Sequence, residues 1–445
     1  MKVSESLRDS RCLGSWWIGL VLAHAALIPF FWEFPGLPGR FTTTDLLALI
    51  ILASWGLIRR EDGVRALRNV PVLWPSVAFV AVHWFAFLVA QDLVSSLKEA
   101  LKLLGIFAFY LILASMLTRP GDRRRLAWAL VGGATAVSVI AIGQGAGASL
   151  GSGYGQWRAA GTMGHANTLG AYLAALMPVA WGLMWTELIR GRRRWIVALL
   201  AGMLLTMGLA LGLTLSRASW LSLIVASMVV WVSLATGKTA DAVLRRQRLT
   251  VAGVGLAVIA AAGLGLATWT SDTGSFLDSP IVERVVETVS LTSQADRERV
   301  VLLQAAWDMF LDHPLLGVGP GNYQWHIPEY TDYRPAWRHE FPHNVVLHIA
   351  AETGIIGLCA FLWWIGAVLS LGYNRMRNSL QFPMELEPGL MVGAFAGMVS
   401  VLVGSLFSYP FLHGVWEPLV YCLVLALIPP TTSPSPEEAV GRCTP

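Results

Sequence analysis

Apolar blocks of about 17 residues or more recur along most of this chain, where a soluble protein would show narrow amphipathic stripes. Blocks of that length cross the hydrocarbon layer as helices, because a helix satisfies its own backbone amides where no water is present. The expected fold class is therefore an all-α polytopic membrane protein. Composition agrees: 13% of residues are charged, against about 25% in soluble domains. The four cysteines (Cys12, Cys359, Cys422, Cys443) lie in apolar blocks or near the termini, with neither metal-type spacing nor a disulfide framework. The net charge of +4 is explained by topology and calls for no nucleic-acid partner.

Twelve spans are expected, at roughly 14–32, 42–58, 71–90, 99–117, 126–145, 168–188, 195–213, 217–235, 249–270, 344–371, 389–408 and 415–430. The connections set the orientation. Arg59, Arg60, Arg65 and Arg68 follow the second span, and Arg119, Arg123, Arg124 and Arg125 the fourth. Arg190, Arg192, Arg193 and Arg194 follow the sixth; Lys238, Arg245, Arg246 and Arg248 the eighth; Arg375 and Arg377 the tenth. The intervening short loops hold almost no basic residues, so the arginine-rich loops and both termini are expected in the cytoplasm. The first apolar block runs past Ala23-His24-Ala25 without a convincing cleavage site, and removing it would break the charge alternation. It reads as a retained span. Residues 1–270 thus hold spans one to nine, 271–343 a large extracytoplasmic loop, 344–430 the last three spans, and 431–445 a short cytoplasmic tail.

A 73-residue connection without structure of its own would be unusual, so residues 271–343 should fold on the membrane surface. Within it, RERVVLLQAAWDMFLDHP reads as an amphipathic helix, with Val300, Leu303, Trp307 and Phe310 at helical spacing and Asp312-His313-Pro314 ending it. Gly317, Gly319 and Gly321 follow in LLGVGPGNY. No strand precedes them, so a tight turn holding the surface helix to the bundle is the better reading than a nucleotide loop.

Basic residues on the outer face run against the orientation rule and need a reason. Arg217, in LTLSRASW, stands at the outer boundary between the seventh and eighth spans, beside Ser216. A planar, permanently charged guanidinium there suits the oxygens of a lipid phosphate or pyrophosphate. Arg158 shares the outer loop GSGYGQWRAAGTMGHANTLG with His165 and Asn167, and Arg299 begins the surface helix. Arg284, Arg297, Arg334 and Arg338 occupy the same large loop, where snorkelling to lipid phosphates or helix capping explains them. In PHNVVLHIAAETGIIG, His343 stands at a helix entrance, where a histidine is a cap, an interfacial group or a proton acceptor. Asn344 could orient it or bind sugar hydroxyls. His348 and Glu352, four residues apart on one helix face, can satisfy each other.

LSRASW, RVVLLQAAWDMFLDHPLLGVGPGNY and PHNVVLHIAAETGIIG resemble, in order, the characteristic segments of the bacterial O-antigen ligase and O-antigen polymerase superfamily. RAAGTMGHANTLGAYLAALMP is similar to that family's outer-loop segment, and the resemblance runs from about 158 to 360. It implies a fold like that of the C-type glycosyltransferases, in the bacterial inner membrane, with the active site facing the periplasm. It also implies an undecaprenyl-pyrophosphate-linked glycan as donor and a lipid A-core or glycan hydroxyl as acceptor. The family's essential arginines fall on Arg217 and Arg299 and its histidine on His343, with Arg158, His165, Asn167 and Asn344 as expected substrate contacts. The expected reaction is one displacement at the anomeric carbon, inverting, with no metal or other cofactor. Two alternatives stand beside a ligase: a polymerase joining repeat units, and, from another class, a transporter or flippase of lipid-linked glycan. Transport would favour inverted repeats and charges at mid-membrane, and neither is evident.

Overall fold

The computed structural model describes residues 16–30, 42–58, 67–145, 158–190, 194–236, 253, 294–332, 341–381, 387–408 and 416–428. The expected ninth span, the start of the large loop with Arg284, the stretch holding Arg334 and Arg338, and the C-terminal tail lie outside the described residues.

Thirteen helices carry the fold among the described residues. They are α1 (Trp16–Phe30), α2 (Thr43–Ile58), α3 (Leu73–Ala86), α4 (Leu93–Met116), α5 (Pro120–Gly145), α6 (Ala166–Ile189) and α7 (Arg194–Leu213). Then come α8 (Arg217–Thr236), α9 (Gln294–Asp312), α10 (Tyr323–Tyr330), α11 (Val345–Gln381), α12 (Pro388–Gly404) and α13 (Trp416–Leu427). Six of them (α4 to α8 and α11) are long and apolar enough to cross a membrane. Shorter apolar helices, α1, α2, α3, α12 and α13, stand at five other expected positions. Among the described residues the fold is all-helical, and the chain is a multi-pass membrane protein.

The centre of the bundle is α6, whose side chains are almost all buried, packed against α12. Glycines let their backbones meet. A Cβ on Gly182 would collide with the Gly389 carbonyl, one on Gly393 with the Pro178 carbonyl, and one on Gly397 with the Ala175 carbonyl. Gly389, Gly393 and Gly397 recur every four residues, a small-residue stripe along one face of α12. Lipid drives helices together weakly, so contact area gained by close approach does most of the work here. Around this pair stand α5, α7, α8, α11 and α13.

The arginine-rich ends are tied together. Both terminal nitrogens of the fully buried Arg123 donate to carbonyls at the end of α13, to Ile428 and to Leu425 at 2.6 Å. Glu387 lies 3.8 Å from Arg123 and accepts from Arg190 at 2.9 Å, while Arg124 lies 3.6 Å from Glu187. Thus the starts of α5 and α12 meet the ends of α6 and α13, as alternating span directions require.

The large loop and α11 interlock. At Gly354, φ is 63° and ψ −163°, so α11 breaks there. The break strands backbone groups, and the turn after α9 takes them up. Val318 N donates to Ala351 O at 2.9 Å and Gly319 N to Glu352 O at 3.0 Å. In return, Ile355 N donates to Pro314 O at 2.8 Å and Ile356 N to Leu315 O at 3.5 Å. Backbone groups freed by the break thereby find partners, as a helix interrupted inside a membrane requires. A side chain at Gly317 would strike the backbone at Ala351–Thr353, and one at Gly354 the backbone of Leu315. Gly317 and Gly354 mark where these two stretches touch, while Gly319 and Gly321 lie against Ala90 and Ser95 before and within α4. The expected tenth span is accordingly two helical pieces, and longer than its sequence limits.

Helix α9 forms. Leu302, Ala305, Ala306 and Met309 pack with Val318, Tyr323, Ile327 and Ala351. Val300 and Trp307, of the expected apolar stripe, are exposed. The smaller alanines allow α9 to sit close against α10 and α11, a preference that counting large apolar residues overlooks.

Candidate functional site at the outer end of the bundle

The outer loop before α6 is held by polar contacts on several sides. Gln144, near the end of α5, donates to Gly161 O at 2.7 Å and accepts from Gly161 N at 2.8 Å. Gly161 has φ 61°, which favours glycine. Thr162 donates to Pro29 O at the end of α1, and Ala159 N to Leu213 O at 3.0 Å. Arg158 is thereby fixed against the turn between α7 and α8. Its Nε donates to Thr214 O at 2.8 Å and its Nη2 to Asn167 Oδ1 at 2.6 Å.

His165 is the N-cap of α6: its Nδ1 accepts from Asn167 N at 3.1 Å. Desolvation holds its pKa below the ordinary histidine value, and the Arg158 and His343 charges push the same way. Arg158, from the same loop, and His343, from a distant stretch of sequence, thus both lie within electrostatic reach of His165.

Arg217 starts α8, directly after the turn that Arg158 grips. Leu215 in that turn has φ 50°, and Ser216 N donates to Thr214 Oγ1 at 3.2 Å. The first turn of α8 packs on α6, where a Cβ at Gly170 would meet Ser216 and Ser219. Farther along, Ser222 lies beside Gly404 of α12. The next residue, Ser405, accepts from Val345 N at 2.9 Å, which fixes the start of α11 and with it His343.

His343 has φ 52°, a left-handed conformation that costs a non-glycine residue about 1–3 kcal/mol and clusters at functional sites. Asn344, beside it, caps α11. Its Oδ1 accepts from Val346 N at 3.0 Å and Leu347 N at 3.1 Å, and its Nδ2 donates to Leu406 O at 3.2 Å. Both ends of the Asn344 amide are engaged in placing the start of α11, directly after His343.

His348 and Glu352 do satisfy each other, with Nε2 to Oε2 3.2 Å and both side chains buried. The other carboxylate oxygen accepts from Tyr323 N at 3.2 Å, so the pair secures the start of α10. Arg299 stands on α9 one turn before Leu302, whose carbonyl accepts from Tyr323 Oη at 2.7 Å. Its placement relative to the bundle therefore runs through α10 and α11.

Sequence reasoning missed Gln144 and Thr214. Gln144 had a signal, a lone amide at the outer end of an otherwise apolar helix in AIGQGAG. Thr214 acts through its carbonyl, which every residue carries, and left no signal.

A guanidinium and two imidazoles within electrostatic reach, with Arg217 at the start of the adjoining helix, are groups able to hold an anion and move a proton. Comparison with known proteins adds a family. Over 139 residues, 31% of this chain, it is 29% identical to the teichuronic acid biosynthesis protein TuaE of Bacillus subtilis (strain 168). That match spans 28% of the relative's length, less than a third of it. A family model described as O-Antigen ligase matches residues 202–362, which contain Arg217, Arg299 and His343. On that match, residues 202–362 of this membrane bundle are similar to the O-Antigen ligase family.

Proposed function

We propose that the protein is a membrane glycosyltransferase that moves a glycan from an undecaprenyl-pyrophosphate donor to an acceptor hydroxyl. The observation that carries this reading is that Arg158 grips the turn just before Arg217, while Arg158 and His343 both lie within electrostatic reach of His165. An anion with several oxygens at the membrane boundary meets there what it needs: two guanidinium groups whose backbones are fixed. The family segment at 202–362 supports the same reading.

In the proposed reaction the acceptor oxygen attacks the anomeric carbon as the bond from that carbon to the pyrophosphate oxygen breaks. The electron pair leaves with the polyprenyl pyrophosphate. Arg217 and Arg299, with Arg158, balance the charge growing on it. His343 takes the proton of the attacking hydroxyl. One displacement inverts the anomeric configuration, and the arginines neutralise the leaving group without a metal. The reading places the site on the periplasmic side of the inner membrane, as the arginine-rich loops at the opposite end favour.

The acceptor of the O-antigen ligase type is lipid A-core. The likeness to a teichuronic acid biosynthesis protein supports a second acceptor, a growing glycan, which makes the enzyme a polymerase. Purified protein in vesicles with lipid-linked glycan and each acceptor tests both. Arg217→Ala and His343→Ala at equal protein level should each lose most transfer. Wild-type rates from either variant would remove that residue from the mechanism.

A further inference from the structure

Helix α9 shows three faces. Leu302, Ala305, Ala306 and Met309 are buried against α10 and α11. The outward surface divides in two. Trp307, Val300 and Leu311, at 45%, 64% and 56% exposure, fall together on a helical wheel, flanked by Leu303 and Phe310. Gln304 and Asp308, hydrogen-bonded to each other at 2.9 Å, fall beside them with Arg297 and form a polar stripe.

The apolar stripe does not end with the helix. Leu315 follows it at 65% exposure, and its carbonyl accepts from Ile356 N, while Pro314 O accepts from Ile355 N. Ile355 and Ile356 are exposed on α11, as are Leu362 and Trp363 farther along it. Helix α11 is long and apolar enough to cross a membrane, so its exposed apolar side chains face lipid. The exposed apolar side chains of α9 thus adjoin those of α11 across a short turn, in which Asp312 and His313 are also exposed.

We propose that α9 lies in the membrane leaflet on its own side of the bundle, with Val300, Trp307 and Leu311 against acyl chains and Gln304 and Asp308 facing water. An apolar stripe beside a polar one is what a helix at the interface presents, and Trp307 has the side chain favoured there. In water the same helix would leave three large apolar side chains solvated side by side, against the tendency that drives such surface out of water. Arg299 immediately precedes Val300, so this placement holds its backbone at the depth of lipid headgroups. The proposal concerns lipid contact and stands whether or not the chain transfers glycan.

The test uses the full chain with Cys12, Cys359 and Cys443 replaced by serine, reconstituted in phosphatidylglycerol–phosphatidylethanolamine vesicles. Nitroxide labels are placed singly through Val300→Cys, Leu311→Cys, Gln304→Cys and Asp308→Cys. Collision with oxygen, which concentrates in hydrocarbon, is compared with collision with a water-soluble nickel chelate. At 300 and 311 oxygen should dominate, and at 304 and 308 the ratio should reverse. Equal chelate access at all four positions overturns the proposal. So does low access to both reagents at 300 and 311, the pattern of a face covered by a second copy or another part of the chain. A lipid-borne diazirine on the unsubstituted protein gives an independent check. Adducts should map to 300–311, and their absence there after efficient labelling of α11 also overturns the proposal.

Discussion

The Arg158 guanidinium bridges two stretches of chain, donating from Nε to Thr214 O and from Nη2 to Asn167 Oδ1. The outer loop, the start of α6 and the turn before Arg217 are thereby one rigid unit. Asn167→Ala removes the acceptor of a charge-assisted bond, worth about 1.5–3 kcal/mol, and should lower transfer roughly ten- to a hundredfold. Arg158→Lys should fall nearly as far, since one ammonium cannot reproduce the guanidinium fork. Initial rates of glycan transfer in vesicles check both. An Arg158→Lys variant with wild-type activity would mean that only the charge matters.

His165 introduces a dependence on pH. Its Nδ1 accepts the Asn167 amide, so this ring nitrogen must be unprotonated, and protonation turns it into a donor. Burial, with Arg158 and His343 next, lowers the folded pKa below the 6.5 of an unperturbed histidine. The sign follows. Below pH 6.5 the unfolded chain takes up the proton first, so stability is full above that value and declines as pH falls toward the lowered folded pKa. Thermal unfolding in detergent should show a midpoint that drops on acidification from about pH 7.5 to about pH 5. His165→Asn, which keeps a capping acceptor without titrating, should remove this part of the drop.

Much of the architecture was legible because lipid imposes simple rules. Among the described residues the expected apolar blocks form helices, and the arginine-rich ends of α5 and α6 meet at one end of the bundle. Arg158, His165 and His343 could be grouped because cations are rare on the outer face, so the few present stand out. What could not be read depended on backbone. The break at Gly354 is invisible to hydropathy, since α11 stays apolar across it, and only Gly317 and Gly354 hint that two stretches touch. Which face of α9 meets the bundle was likewise not legible, because close packing selected Ala305 and Ala306 over the larger Val300 and Trp307.

The break in α11 should be unforgiving of change. Gly354 occupies a region, φ 63° and ψ −163°, that is nearly closed to other residues, and a Cβ there would also strike the Leu315 backbone. Gly354→Ala should therefore cost more than the roughly 1–3 kcal/mol of backbone strain alone. A Cβ at Gly366, also in α11, would meet nothing within 4 Å, and Gly366→Ala should be neutral or mildly stabilising. Unfolding midpoints of the two variants decide the matter. Equal midpoints would show that the turn at 314–319 can detach from α11 without loss.

The opposite end of the bundle offers a test of buried charge. Arg123 and Glu387 are almost wholly buried, 3.8 Å apart, with Arg190 closing on the same carboxylate. Removing the carboxylate leaves Arg123 buried with only carbonyl partners, and breaking a buried pair costs about 3–5 kcal/mol. Glu387→Gln should be the milder variant, because its amide oxygen can still accept from Arg190. Arg123→Met should be worse, since it also strips the Ile428 and Leu425 carbonyls of their donor inside an apolar bundle. The double variant Arg123→Met with Glu387→Gln should lose less than the sum of the two, because neither charge is left facing a vacated partner. Strict additivity in unfolding midpoints would show that the two side chains act independently, and that the carbonyl contacts of Arg123 alone fasten α5 to α13.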